Sequence, residues 1–154
     1  MEKEEKNGSY SKTVKICGVE EAEVREKIHD LMASADQVFF TFISPPGEVD
    51  IRIEAQAEQE DEAKSRVKGI VRELKIRFGS SIFTTNSRVT LAETIVGLLK
   101  EQKMTITTVE SCTGGMVSAR LTDVAGVSEV FKQGFVTYSN KAKRKLIGVK
   151  KMTL

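Results

Sequence analysis

Residues 105–121, TITTVESCTGGMVSARL, change character twice. Thr105 to Val109 is β-branched throughout, the composition of a strand. Glu110 to Gly115 is a short polar stretch ending in two glycines, which permit positive φ and a close backbone approach. Met116 to Leu121 then opens a helix. A strand feeding a helix through a glycine loop is the unit of an α/β layer, so this stretch decides how the rest of its half is read. Immediately upstream, Thr90 and Glu93 have capping-box spacing, and Leu91, Ile95, Leu98 and Leu99 give the helix between them and the strand its apolar face. Downstream, Val130 to Tyr138 contains a second strand, and Asn140 is the expected cap of a last helix, KAKRKLIGV. Residues 90–154 therefore read α-β-α-β-α, a partial α/β layered domain.

The preceding part has another rhythm. Thr13 to Val19 alternates like a strand, and Glu20 to Ala33 carries Ala22, Val24, Ile28, Leu31 and Met32 at helical spacing. Gln37 to Ile43 is an apolar strand run that stops at Ser44-Pro45-Pro46-Gly47. Val49, Ile51, Ile53 and Ala55 alternate with polar residues, and a long helix from Glu60 ends at Phe78, with Gly79 as its stop. The order β-α-β-β-α describes a small α+β sandwich over residues 12–80. Residues 1–11 read as a polar, disordered tail, and residues 81–89 as a linker.

Composition narrows the class. The chain has 154 residues, 40% hydrophobic and 30% charged, an ordinary globular balance. No apolar run spans a bilayer, and the charged N-terminus lacks the apolar core of a secretory signal. Cys17 and Cys112 lie in different segments and read as free thiols of a cytoplasmic protein. With a single histidine, His29, they cannot assemble a zinc site. Charge is uneven: residues 1–86 hold 13 Lys/Arg against 17 Asp/Glu, and residues 87–154 hold 11 against 5. The basic second half suits an anionic ligand or a solvated lysine surface.

The loop carries the chemistry. A serine between a strand and a helix N-terminus can attack a carbonyl while neighbouring N–H groups hold the oxyanion. The pattern is neither G-x-S-x-G nor a Walker loop, and Ser111, Cys112 and Thr113 also suit simple capping. His29 lies in the other half, so a lysine is the candidate base. Lys143 falls in the first turn of the last helix, where the dipole and the crowding of Lys141, Arg144 and Lys145 favour a neutral amine. Tyr138, at the end of the preceding strand, can relay a proton. The alternative is a solvated basic helix start beside a core tyrosine.

The strings 109–115 (VESCTGG), 121–123 (LTD), 126–128 (GVS), 134–140 (GFVTYSN) and Lys143 with 146–149 (LIGV) resemble, in order and spacing, the start of the CinA C-terminal domain of the competence-damage protein family. Residues 14–21 (VKICGVEE) and 46–53 (PGEVDIRI) resemble the family's KH-like middle domain. The resemblance implies an amidohydrolase that converts nicotinamide mononucleotide and water to nicotinic acid mononucleotide and ammonia, a step of NAD metabolism. By motif position it implies Ser111, Tyr138 and Lys143 as the catalytic triplet. Cys112, Thr113, Gly114, Gly115 and Asn140 become its oxyanion or substrate contacts, and no metal or redox cofactor is required. It also implies a second half of the amidohydrolase domain beyond Leu154, so little deamidase turnover is expected of these residues by themselves. Two other functions compete: a noncatalytic binding or assembly module, and, below it, RNA binding. The KH-like part lacks a G-x-x-G loop and is net negative, so it reads as a homo-oligomer-forming element without nucleic-acid or membrane partners.

Overall fold

A computed structural model describes residues 8–153. The chain divides into two compact units, Met1–Val89 and Thr90–Leu154. Among the described residues no helix is long and apolar enough to cross a membrane.

The first unit runs β1 (Gly8–Cys17), α1 (Glu21–Lys27), α2 (His29–Ser34), β2 (Val38–Ile43), β3 (Glu48–Ala57), α3 (Glu60–Phe78), a 3-10 turn (Gly79–Ser81) and β4 (Ile82–Thr84). Its antiparallel sheet has the order β2-β3-β1-β4. β1 and β3 pair along their whole length, Gly8 opposite Ala57 and Cys17 opposite Glu48. Alternation then sends Val14 and Ile16 of β1 and Val49, Ile51, Ile53 and Ala55 of β3 to one face. All six are buried, and they pack with Val24, Ile28, Ala63, Val67, Leu74 and Phe78 of the helical layer. This is the α+β sandwich expected from the periodicities.

Three details differ from expectation. Gly8 to Ser11 is strand rather than tail, because β3 extends to Ala57 and supplies it with partners. Residues 82–84, within the expected linker, form β4 and pair with β1 through Lys15–Thr84 and Ile16–Ile82. The expected single helix over 20–33 is broken at Ile28, whose φ of −117° and ψ of 11° leave the helical region. The break still delivers Leu31 and Met32 to the core. Gly79 ends α3 with a φ of 50°, a conformation that favours glycine.

On the outer face of the sheet, Lys15 is buried, lies 3.4 Å from Asp50, and donates to the Val89 carbonyl at 3.2 Å. Asp50 Oδ1 is buried without a partner among the described residues.

The second unit runs α4 (Leu91–Glu101), β5 (Ile106–Glu110), α5 (Met116–Thr122), a 3-10 turn (Val127–Glu129), β6 (Phe131–Val136), α6 (Asn140–Ile147) and a 3-10 turn (Lys151–Thr153). The Thr90–Glu93 capping box forms in full at the start of α4. β5 and β6 are parallel, and Glu110 pairs with Val136. A small core holds Val96, Leu121 and Val130, with Ile95, Leu99, Ile106 and Phe131 against it. Val109, Val117, Val136 and Leu146 remain about half exposed. This is the partial α/β layer expected.

Candidate active site

The strand and helix of the decisive stretch are joined by two consecutive left-handed glycines. Gly114 has φ 60° and Gly115 φ 102°. Gly115 stands at the N-cap of α5, where its own lack of a side chain leaves the first N–H groups without a local acceptor. Glu110 fills that role from the end of β5. Its Oε2 accepts from the N–H of Gly115 at 3.1 Å and of Val117 at 3.0 Å. Its Oε1 accepts from the N–H of Ser118 at 2.9 Å and the Ser118 hydroxyl at 2.5 Å.

Ser118 has one hydroxyl proton, and it is given to the carboxylate. The Thr108 hydroxyl, 2.7 Å from Ser118 Oγ, must therefore be the donor in that pair. The result is a short chain, Thr108 to Ser118 to Glu110, that clamps α5 onto β5. The hydroxyl bond from Ser118 holds the Glu110 carboxyl down to about 2, with backbone bonds from Ser118 and Val117 and a bond from Thr113 adding to it. Glu110 is only 5% exposed, so the helix N-terminus is already occupied by the protein's own anion.

This revises the expected oxyanion contacts. The Gly115 N–H is taken by Glu110, and the Gly114 N–H donates to the Ser111 carbonyl at 3.0 Å. Among the described residues, the N–H groups of Ser111, Cys112 and Thr113 have no acceptor, and those of Cys112 and Thr113, which follow the serine, are placed to serve a ligand. Ser111 itself is half-buried, and Cys112 is exposed.

The second strand ends beside the first. Thr137, buried at 1% exposure, donates its N–H to the Glu110 carbonyl at 2.8 Å, with its hydroxyl 3.5 Å from the same oxygen. Because the strands are parallel, Ser111 and Tyr138 leave the sheet from the same end, the carboxyl end, where ligands of α/β sheets sit. Tyr138 is 73% exposed. α6 follows at once, but Ser139, not Asn140, is its cap. The Ser139 hydroxyl accepts from the Ala142 N–H at 3.1 Å, and Asn140 is the first helical residue. Serine and asparagine are both good caps, and the one already extended, with ψ of 151°, takes the position. Lys143 is half-buried, its N–H donating to the Ser139 carbonyl at 2.9 Å. Among the described residues no hydrogen bond links the side chains of Ser111, Tyr138 and Lys143. The topology brings Ser111 and Tyr138 to one end of the sheet without closing the triplet. Further along, Lys141, Arg144, Lys145, Lys150 and Lys151 line an open recess of about 780 Å³, with no carboxylate of the described residues on its wall.

Sequence reasoning missed Glu110, Thr137 and Ser118. By composition Glu110 belongs to the polar loop, yet its place at the end of a β-branched run, ahead of two capless glycines, is a signal that an upstream acid does the capping.

Residues 11–84 match the Damage-inducible protein CinA KH domain, and residues 88–154 match the CinA C-terminal domain. A competence-damage inducible protein of Caldicellulosiruptor bescii is 38% identical over 154 residues, covering 100% of this chain and 37% of that protein. A CinA-like protein of Dictyoglomus turgidum is 39% identical over 140 residues, covering 91% of this chain and 34% of its own length. Among solved structures, the competence/damage inducible protein CihA from Agrobacterium tumefaciens is 45% identical over 42% of this chain and 39% of that one, with a TM-score of 0.41. The chain spans about a third of the length of the curated relatives it matches.

Proposed function

From the premise that this chain belongs to the CinA family, we propose that its second unit carries the nucleophile side of a nicotinamide-nucleotide amidohydrolase. The exit of Ser111 and Tyr138 from adjacent ends of two parallel strands carries this reading. Ser111 Oγ attacks the carboxamide carbon of nicotinamide mononucleotide, and its proton passes to Lys143, directly or through Tyr138. The carbonyl oxygen becomes an oxyanion opposite the N–H groups of Cys112 and Thr113, which have no acceptor among the described residues. Collapse of the tetrahedral intermediate breaks the C–N bond, and the proton held by Lys143 leaves with ammonia. Water then hydrolyses the acyl-serine, giving nicotinic acid mononucleotide and restoring Ser111. The lysine and arginine recess at the end of α6 suits the nucleotide phosphate.

Ammonia release from nicotinamide mononucleotide, measured on a chain extended through the second half of the amidohydrolase domain, tests the proposal. Ser111→Ala should abolish it and Cys112→Ala should largely spare it; the opposite pattern, or activity in both variants, refutes the assignment. A second reading, an assembly module, has one observation in its favour: Val109 and Val136 of the two-stranded sheet are 55% and 50% exposed. Solution mass, measured beside the assay, separates the two, since an assembly module associates without turnover.

A further inference from the structure

β1 is paired to β3 along its whole length, but β4 pairs with it only at Lys15 and Ile16. The outward edge of Gly8 to Val14 therefore has no strand beside it among the described residues. An open edge presents main-chain donors and acceptors to any extended chain. This one is not bare. α3 runs alongside it in matched register. A Cβ on Gly8 would collide with the backbone of Gln59 and Glu60, Lys64 lies 5.9 Å from the Tyr10 ring, and Lys12 shares a cleft with Lys68, Arg72 and Lys75.

The cleft, about 310 Å³, is floored by Tyr10, Val67 and Val71, and no carboxylate of the described residues lines it. On the other side of the same edge, a second open cleft of about 510 Å³ is lined by Ser11, Thr13, Arg52, Asn86 and Ser87, again with no carboxylate among the described residues. The cations of α3 divide cleanly. Arg66 and Arg77 are satisfied by Glu62 and Asp30, whereas Lys64, Lys68, Arg72 and Lys75, and Lys12 across from them, join no ion pair among the described residues. Spacings of four, four and three residues put these four α3 side chains in one stripe, rising about 4.5–6 Å per step. An extended strand repeats its same-face side chains every two residues, about 6.6–6.8 Å.

We propose that the open edge of β1 and the cationic stripe of α3 form a docking site for an acidic, extended peptide segment of a partner protein. The segment adds to the sheet as a fifth strand beside β1. Its alternate carboxylates meet Lys64, Lys68, Arg72 and Lys75 on the α3 face, and the side chains between them turn to the opposite face, over the cleft beside Ser11 and Thr13. A second copy of this sheet does not fit the site, because β1 against β1 brings Lys12 and the α3 lysines toward their own images. The main-chain edge favours a peptide over a nucleic acid, which has no use for strand donors and acceptors.

The test uses the whole chain and a fluorescein-labelled peptide of about eight residues alternating valine and glutamate. The expected result is saturable binding that weakens with salt. It should weaken about tenfold in the double variant Lys68→Glu/Arg72→Glu, whose exposed positions should leave the melting curve unchanged. Amide exchange at Gly8 to Thr13 should slow when the peptide is bound. Equal binding of a valine–glutamine peptide, absence of saturable binding, or binding that leaves β1 exchange unaltered would overturn the proposal. Tighter binding of a thymidylate oligonucleotide of similar length, lost in the same double variant, would reassign the site to nucleic acid.

Discussion

Gly134 sits in β6 opposite Thr108 and beneath Ser118 of α5. A Cβ added there would stand 2.7 Å from Thr108 Oγ1, 3.0 Å from Ser118 Oγ and 3.1 Å from the Phe131 ring. Two of these atoms belong to the hydrogen-bonded chain that ends on Glu110, so neither can step aside without stretching the clamp. Gly134→Ala should therefore cost about 1–3 kcal/mol, the usual range for an overpacked methyl. Alanine at an ordinary φ restores about 0.4–1 kcal/mol by restricting the unfolded chain, so the net effect is still a loss. In a unit the size of Thr90–Leu154, each ~1 kcal/mol lowers the melting temperature by about 4–8 °C. The amide resonances of residues 106–110 and 131–136, followed on heating, report this unit separately from the first. Thr108→Ala removes the nearest obstacle, so Thr108→Ala/Gly134→Ala should be less destabilised than the sum of the single variants. A melting point for Gly134→Ala equal to or above the parent's, or strict additivity, would refute the packing argument and with it the account of how α5 is seated.

Three further outcomes follow from the same geometry. Glu110→Gln replaces a carboxylate that accepts four hydrogen bonds with an amide that turns donors toward them, so the variant should melt earlier than the parent at neutral pH. Because the folded carboxyl is depressed to about 2 from an ordinary 4.5, its contribution is fully present above about pH 4.5 and lost as pH falls toward 2, and the two melting curves should converge across that window. Lys15→Met strands the Asp50 carboxylate against the sheet and should destabilise the first unit by about 1–3 kcal/mol in a urea titration, while Lys15→Met/Asp50→Leu should recover most of the loss. Lys143→Arg keeps the charge but cannot deprotonate, so any amidase turnover should vanish in it; retained ammonia release would shift the base to another residue.

The parts of this structure that could be read from the sequence are those whose cause is local. The Thr90–Glu93 box, the stop at Gly79 and the inward alternation of Val49, Ile51 and Ile53 each depend on residues a few positions apart, and each stands as read. The parts that escaped depend on distant partners. Ser9 and Ser11 look like tail until Gln56 and Glu54 come alongside. Ile82 to Thr84 is too short to signal a strand without β1. Ser111 was conspicuous beside its glycines, yet Glu110, one position earlier, was not. Its carboxylate acquires a role only when α5 folds back over β5 and delivers three N–H groups to it. The adjacent Ser139 and Asn140 illustrate a different limit, since two equivalent caps side by side leave the choice to backbone geometry.

The strand order of the first unit has a consequence for synthesis. Of this sheet's strands β1 leaves the ribosome before the others but occupies an interior place, and its full-length partner β3 begins only at Glu48. At about 5–20 residues per second, β1 waits roughly 2–6 seconds for a partner. During that interval both of its edges are bare, and its Val14 and Ile16 face water. Lys12 stands two positions before Val14 and Lys15 lies between Val14 and Ile16, and charged side chains on a bare strand discourage pairing between neighbouring nascent chains. Lys15 is later neutralised by Asp50, which arrives with β3 itself, so the chain gives up that protective charge at the moment the strand no longer needs it.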